Sequence, residues 1–360
     1  METRRGSKSR FGNVSLPFDY FDFMGFDRLL KPVSKIRSAC LDRLRRRLVF
    51  PLSGLDQTAG RYWEALAFEA GVEIEKVIRV RPDTRGIFLV RHPDYGRCVF
   101  KTVFSPTHSR FGLANRVAAR IISESESPIF PDVYEASIDY SIEQYIEGQE
   151  LRVWMSGNLS IDHIGDYLDH LKYWSMSSRS ELKSSMLNHF ELRAICGYYI
   201  EKCLRHARFF SSIDNVKAAM RIFSSGLEEK VEWLWEEAGR VELPKTLMCG
   251  DMGNINIVVQ DDTNRLFNID YETMGPGHWG FDCGYFISSL AKMGGNKDVV
   301  DEVKQIVFNE SYLGGRQPMR FFEVYTEVLT EISAGLYGAR HESLFSVLPW
   351  LRLDRATAST

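Results

Sequence analysis

The sequence has no uninterrupted apolar run of roughly 18 residues, the length a membrane-crossing helix needs. No spanning helix is expected. Its six cysteines, Cys40, Cys98, Cys196, Cys203, Cys249 and Cys283, form no Cys-x-x-Cys pair and no Cys/His cluster at zinc-ligand spacing. Free thiols in a reducing cytoplasm are the expectation. Charge of neither sign dominates, and a formal net charge of −3 argues against a generic nucleic-acid binder. A secretory apolar segment is missing too: basic residues open the chain, but Asp19 and Asp22 interrupt the stretch that follows. There is no internal repeat. What remains is ordinary for a globular protein, with 44% hydrophobic and 26% charged residues. At 360 residues the chain suffices for two domains or one domain of two lobes.

Three regions follow one another. Residues 1–70 read as a helical, aromatic-rich extension with a frayed basic start. Its run LDRLRRRLVF at 41–50 is a candidate for weak contact with an anionic membrane surface or a partner, although a solvated helix face is the commoner use of such a run. From Val72 to Phe104 the periodicity becomes two, in EKVIRV, GIFLVRH and RCVFKTVF, separated by the turn-rich RPDTRG and HPDYG. A helical stretch, RFGLANRVAARIISES, and two further strands, DVYEASID and YSIEQYIEG, complete a β-β-β-α-β-β unit over residues 71–146. Residues 147–360 are mainly helical by their i, i+3, i+4 apolar spacing, and Trp154, Trp174, Trp233 and Trp235 are expected in the helical core.

One strand pair interrupts those helices. CGDMGNINIVV at 249–259 runs a polar knot into an alternating strand, and LFNIDYE brings a second acid, Asp270. INIVV and LFNID pair around the turn QDDTN, so Asp251, Asn256 and Asp270 converge at one end of the hairpin. Two carboxylates and an amide oxygen are hard ligands that suit Mg²⁺, which takes its remaining ligands from water and substrate phosphates. An Asp, an Asn five residues on and a later Asp is also the order of the protein-kinase catalytic loop and metal site. Lys101, on the third strand, stands where that fold keeps its phosphate-binding lysine.

The pattern CGDMGNIN…IDYE…GFDCG resembles the aminoglycoside phosphotransferase and choline kinase superfamily, with local similarity to the choline kinase and methylthioribose kinase branches. Gly250, Asp251, Asn256, Ile269, Asp270, Tyr271, Glu272 and Asp282 carry the resemblance, which covers roughly residues 75–340. It implies an α+β, bilobal, protein-kinase-like fold with an antiparallel-sheet N-lobe and a mainly helical C-lobe. It also implies ATP, or another nucleoside triphosphate, with Mg²⁺. Its hinge, matched by SIEQYIEGQEL, would hold the adenine through the backbone around Gln144 to Ile146. Asp251 would act as the catalytic base, Lys101 would bind the α/β phosphates, and Asn256 and Asp270 would hold Mg²⁺. Glu272, His278 and Asp282 are substrate or structural residues, with Asp282 bracing the catalytic loop.

Three departures stand out. Cys249 replaces the family's loop-bracing His. RPDTRG contains one glycine, Gly86, so it is no glycine-rich flap. The helix after Lys101 should offer a carboxylate to it, yet GLANRVAARII at 112–122 has none; Asn115 stands near the expected place, and Glu124 and Glu126 come late. The expected activity is phosphoryl transfer to a hydroxyl of a small molecule: an amino alcohol, a sugar or an aminoglycoside-like antibiotic. The alternative is a catalytically degenerate kinase fold that binds a nucleotide or a partner. Glu143, Glu147, Glu150 and Glu272 would suit a cationic acceptor, although solvated acids are commoner. Protein substrates are disfavoured, because no activation segment ending in Ala-Pro-Glu is present.

Overall fold

Residues with period two and turn signals between them form a five-stranded antiparallel sheet. The computed structural model describes residues 63–81, 85–103, 118–123, 125, 127–137, 139–154, 161–178, 192–207, 226–271, 273–292 and 297–335. The basic run 41–50, Asn115, Glu124, Glu126 and Glu272 lie outside the described residues. A helix at 63–69 (α1) precedes β1 (Glu73–Arg81), β2 (Arg85–His92) and β3 (Gly96–Val103). A helix at 118–123 (α2) leads to β4 (Val133–Ala136) and β5 (Tyr140–Gln144). The strand order is β1-β2-β3-β5-β4, so β5 inserts between β3 and β4.

Side chains alternate across a strand, which gives this sheet two different faces. Phe88, Val90, Cys98, Phe100 and Ile142 line one face. Trp63, Leu66, Ala67 and Ala70, spaced as one helical stripe, cover it from α1 and the turn after it. The Trp63 and Phe88 rings lie 5.3 Å apart. Lys101 belongs to the opposite set: it pairs with Ile87 on β2 and Ser141 on β5, and Val99 pairs with Leu89 and Glu143.

After β5 come β6 (Gly148–Glu150), α3 (Leu151–Trp154) and α4 (Ile161–Ser177). β6 joins β8 (Ile257–Gln260) and β9 (Leu266–Asn268) in a three-stranded sheet of order β6-β8-β9. A Cβ at Gly148 would run into the Val259 carbonyl, so the close approach of β6 to β8 requires glycine there. β7 (Thr246–Met248) pairs with β10 (Gly275–Gly277). α4 buries Ile164, Tyr167, Leu168, Leu171 and Trp174, and its Ser175 hydroxyl bonds Thr246 Oγ1 and the Leu247 carbonyl on β7. Trp174, expected in a helical core, is fully buried and packs edge-on to Phe130 at 4.9 Å.

The chain divides into two compact units. One contains the described residues of Pro17–Phe190 and Lys245–Asp282, and so all the strands. The other draws on Glu191–Pro244 and Cys283–Thr360 and is helical: α5 (Leu192–Ala207), α6 (Leu227–Glu237), α8 (Lys297–Val307), α9 (Glu310–Leu313) and α10 (Arg316–Gly335). The chain passes between units inside α7 (Trp279–Lys292). Within the helical unit α10 packs on α5 and α6, with Tyr199 on Tyr325 at 6.1 Å and Lys230 bonded to Glu327 and Glu331. An antiparallel-sheet N-terminal region followed by a helical C-terminal region is the expected fold class. Among the described residues no helix is long and apolar enough to cross a membrane.

Candidate active site

β7 delivers the chain into the 249–256 loop, and a buried carboxylate holds that turn. Cys249 N–H donates to Asp282 Oδ2 at 2.7 Å and Gly250 N–H donates to Oδ1 at 2.8 Å. Asp282 is fully buried. It therefore braces the loop that carries Asp251. Gly250 sits at φ 91°, and a Cβ there would overlap the Thr273 carbonyl. Only glycine meets both conditions. Cys249, standing in place of histidine, is itself buried.

The far end of the loop is tied as well. Asn256 Nδ2 donates to the Asp251 carbonyl at 3.1 Å, and Asn256 N–H donates to Gly253 O at 2.8 Å. With its nitrogen committed, the amide of Asn256 has its oxygen left as a ligand atom for a hard cation. The predicted hairpin forms, with Ile257 opposite Asn268. Beyond that pair Ile269 N–H donates to Asn256 O at 2.8 Å, which brings Asp270 beside Asn256 at the same hairpin end. Asp270 N–H donates to Asn268 Oδ1 at 3.2 Å, and the buried Asn268 receives support from Ile129 O through its own N–H at 2.7 Å. Asp251 and Asp270 are both half-buried.

Lys101 enters the same constellation from β3. Its Nζ lies 2.6 Å from Glu143 Oε2 and donates to Ile269 O, the carbonyl just before Asp270, also at 2.6 Å. It sits 4.7 Å over the Tyr271 ring. Glu143 is fully buried and its other oxygen accepts from Ser141 Oγ at 2.7 Å. The resemblance places an acid for Lys101 on the following helix, and 118–123 has none. The strand β5 provides it instead. Glu143 is thereby engaged and does not belong with the acids open to a cationic acceptor. Glu150 pairs with Arg152 at 3.1 Å on the surface.

Gln144 and Ile146, the residues expected at a hinge, lie where β5 ends. Gln144 is the last residue of β5, and its N–H donates to Asp132 O at 2.8 Å. Ile146 is buried in the segment linking β5 to β6, and Glu147 O accepts from Asp261 N–H at 3.0 Å. His278 is fully buried, accepts from Gly280 N–H through Nδ1 at 3.0 Å and stacks on Trp279 at 3.7 Å. Burial, aided by the Lys172 charge, pushes its pKa down to about 3. A neutral, fully enclosed imidazole suits the fold better than contact with a substrate.

Glu143 has a role here other than the one its sequence position suggests, and the β3–β5 register, which puts it diagonal to Lys101, is the signal for it. The Ile269 carbonyl carries no sequence signal, because any residue supplies one.

The residues present fit a magnesium nucleotide in a specific sense. Among the described residues no group of three or more His, Cys, Asp or Glu side chains gathers to hold a metal. One carboxylate and one amide oxygen, on Asp270 and Asn256, match the partial protein coordination typical of Mg²⁺ bound with phosphates.

No family model and no curated protein matches the chain. Solved structures do. A macrolide 2′-phosphotransferase from Brachybacterium faecium is similar at 15% identity over 76% of this chain and 90% of its own, with a TM-score of 0.48. A choline kinase from Cryptosporidium parvum shares 15% identity over 74% of this chain and 82% of its own, with a TM-score of 0.48. An ethanolamine kinase from Plasmodium vivax shares 15% identity over 81% of this chain and 84% of its own, with a TM-score of 0.46.

Proposed function

We propose that this chain is a phosphotransferase that moves the γ-phosphoryl group of ATP, or another nucleoside triphosphate, to a hydroxyl of a small molecule. One observation supports this above the others. Asp251, Asn256, Ile269, Lys101 and Glu143 form a continuous bonded chain within one compact unit. Their chemistry is what phosphoryl transfer requires: a base, a hard cation site and a fixed ammonium. Asn256 and Asp270 would hold Mg²⁺, which when bound neutralises phosphate charge. Lys101 directs its ammonium toward the same place, and the backbone of 144–146 would receive the base of the nucleotide. Asp251 orients the acceptor hydroxyl and takes its proton. Little covalent work falls to the protein, so positioning and charge neutralisation supply most of the rate.

The acceptor class is an amino alcohol, a sugar or an aminoglycoside-like antibiotic. A panel of such alcohols, assayed for nucleotide-dependent phosphorylation, tests the reading with Asp251→Asn as control. The variant keeps the size of the side chain and loses the proton acceptor. Acid–base assistance of this kind is worth roughly 10²–10⁴-fold, and turnover is expected to fall by that amount. Mg·ATP affinity is expected to change far less, since Asn256 and Asp270 would hold the metal. Full turnover by Asp251→Asn on the productive substrate would remove Asp251 as base.

A further inference from the structure

The phosphate-binding lysine of a kinase-like site needs an anion to hold it, and in this chain that anion comes from an unexpected element. The sequence 112–122 contains no carboxylate, and helix α2 at 118–123 presents Ala, Ala, Arg, Ile, Ile and Ser. Yet the Lys101 side chain is only 15% exposed, and an enclosed charge needs an opposite charge to offset its lost hydration. Glu143 lies 2.6 Å away with its side chain 2% exposed. A carboxylate buried that deeply is equally dependent on the ammonium.

We propose that Glu143 is the positioning residue for Lys101: it supplies from β5 the counter-charge that residues 112–123 lack, so that the register of the sheet sets the lysine. This rests on the phosphotransferase reading of the site. The register gives the reason. Lys101 faces Ser141 across the β3–β5 ladder, and Glu143 is two residues further along β5, hence on the same face and diagonal to it. A long side chain reaches across that diagonal. Ser141, directly opposite, fixes the second carboxylate oxygen at 2.7 Å and so sets the orientation of the first. Of the three ammonium protons one goes to Glu143, and the Ile269 carbonyl accepts a second at 2.6 Å. The ammonium is thus held one residue from the metal carboxylate Asp270.

A consequence follows for regulation. A lysine–carboxylate pair between a strand and a mobile helix can be broken by swinging the helix. Here both partners sit on adjacent bonded strands. The pair assembles when the sheet folds, and movement of α2 neither makes nor breaks it. Glu143 also directly precedes Gln144, so the residue that holds the phosphate-binding lysine is continuous with the segment assigned to the base of the nucleotide.

The test uses the full-length chain and Mg·ATP as probe. Calorimetric affinity and thermal midpoint are measured for wild type, Glu143→Gln, Glu143→Asp, Lys101→Met and each Glu143 change combined with Lys101→Met. Glu143→Gln is near-isosteric and still accepts from Ser141, so a packing role predicts little change. The positioning role predicts a loss of about 10- to 100-fold in affinity, the size of one charge-assisted hydrogen bond. It also predicts that Glu143→Gln adds less than about twofold once Lys101 is Met, because the two act as one unit. Glu143→Asp keeps the charge but withdraws it; it should lose affinity in the wild-type background and not in Lys101→Met. That pair of variants carries the test if Glu143→Gln does not fold. Unchanged affinity in Glu143→Gln, or losses that add to Lys101→Met, would overturn the inference while leaving the phosphotransferase reading standing. A wild-type chain that does not bind Mg·ATP would remove that reading, and this inference with it.

Discussion

Asp282 commits both carboxylate oxygens to two consecutive backbone N–H groups, and no other residue type does this as well. Asn would present one oxygen and one amide nitrogen, so one N–H would meet a donor. Ala would leave both N–H groups buried without an acceptor. Each such group costs about 1–3 kcal/mol. We expect Asp282→Ala to lower unfolding free energy by on the order of 3 kcal/mol in urea titration, with Asp282→Asn intermediate. A change below about 0.5 kcal/mol, the usual range for surface positions, would mean the brace is idle. Asp270 makes the opposite case. Its backbone is tied by Asn268, and the residue is half-buried beside Asn256 at the hairpin end. Asp270→Ala should leave the thermal midpoint nearly unchanged and abolish the Mg²⁺ dependence of nucleotide binding. Calorimetry with and without Mg²⁺ decides this; an unaltered metal dependence would take Asp270 out of the site.

Strand position separates two lysines. Lys76 is exposed on β1, an edge strand, whereas Lys101 lies on β3 in the interior of the sheet. Lys101→Ala is expected to weaken Mg·ATP binding at least tenfold, and Lys76→Ala less than about twofold. Parallel titrations of the two variants check it, and equal losses would mean the nucleotide lies elsewhere. The strands were legible in the sequence because β1, β2 and β3 are long, rich in β-branched and aromatic residues and divided by Pro-Asp and Asp-x-Gly turns. The β8–β9 hairpin was legible for the same reason, and with it the meeting of Asn256 and Asp270. β6, β7 and β10 were not. Each has three residues, GQE, TLM and GPG, too few to show a period, and each pairs with a strand far away in the chain. Nor was the partner of Lys101 legible, since β5 leaves the order of the chain to lie between β3 and β4. Along the chain the helix follows β3, whereas in the sheet the acid lies on β3's hydrogen-bonded neighbour, β5.

For the molecule as a whole, the buried His278 predicts how stability responds to acid. Its ring lies at the start of α7, the helix through which the chain passes from one compact unit into the other. In the folded chain its pKa is lowered from 6.5 to about 3, because burial and the Lys172 charge oppose the imidazolium. In the unfolded chain the same ring titrates near its ordinary value. Above pH 6.5 both states carry a neutral ring and the residue contributes no slope. Between the two values the unfolded state binds a proton that the folded state refuses, so stability falls as pH falls, by up to about 1.4 kcal/mol per pH unit. Below the lower value both states are protonated and the slope from this residue ends. His278→Asn removes the titration while retaining an acceptor for Gly280 N–H. Its stability at neutral pH should fall through loss of the stacking on Trp279. The difference between its stability at pH 7 and at pH 5 should nevertheless be smaller than in wild type, by on the order of 2 kcal/mol. Denaturant titrations of both proteins at the two pH values measure that difference directly. If wild type and His278→Asn lose the same stability between them, the ring takes up its proton in the folded chain and is not sealed against solvent.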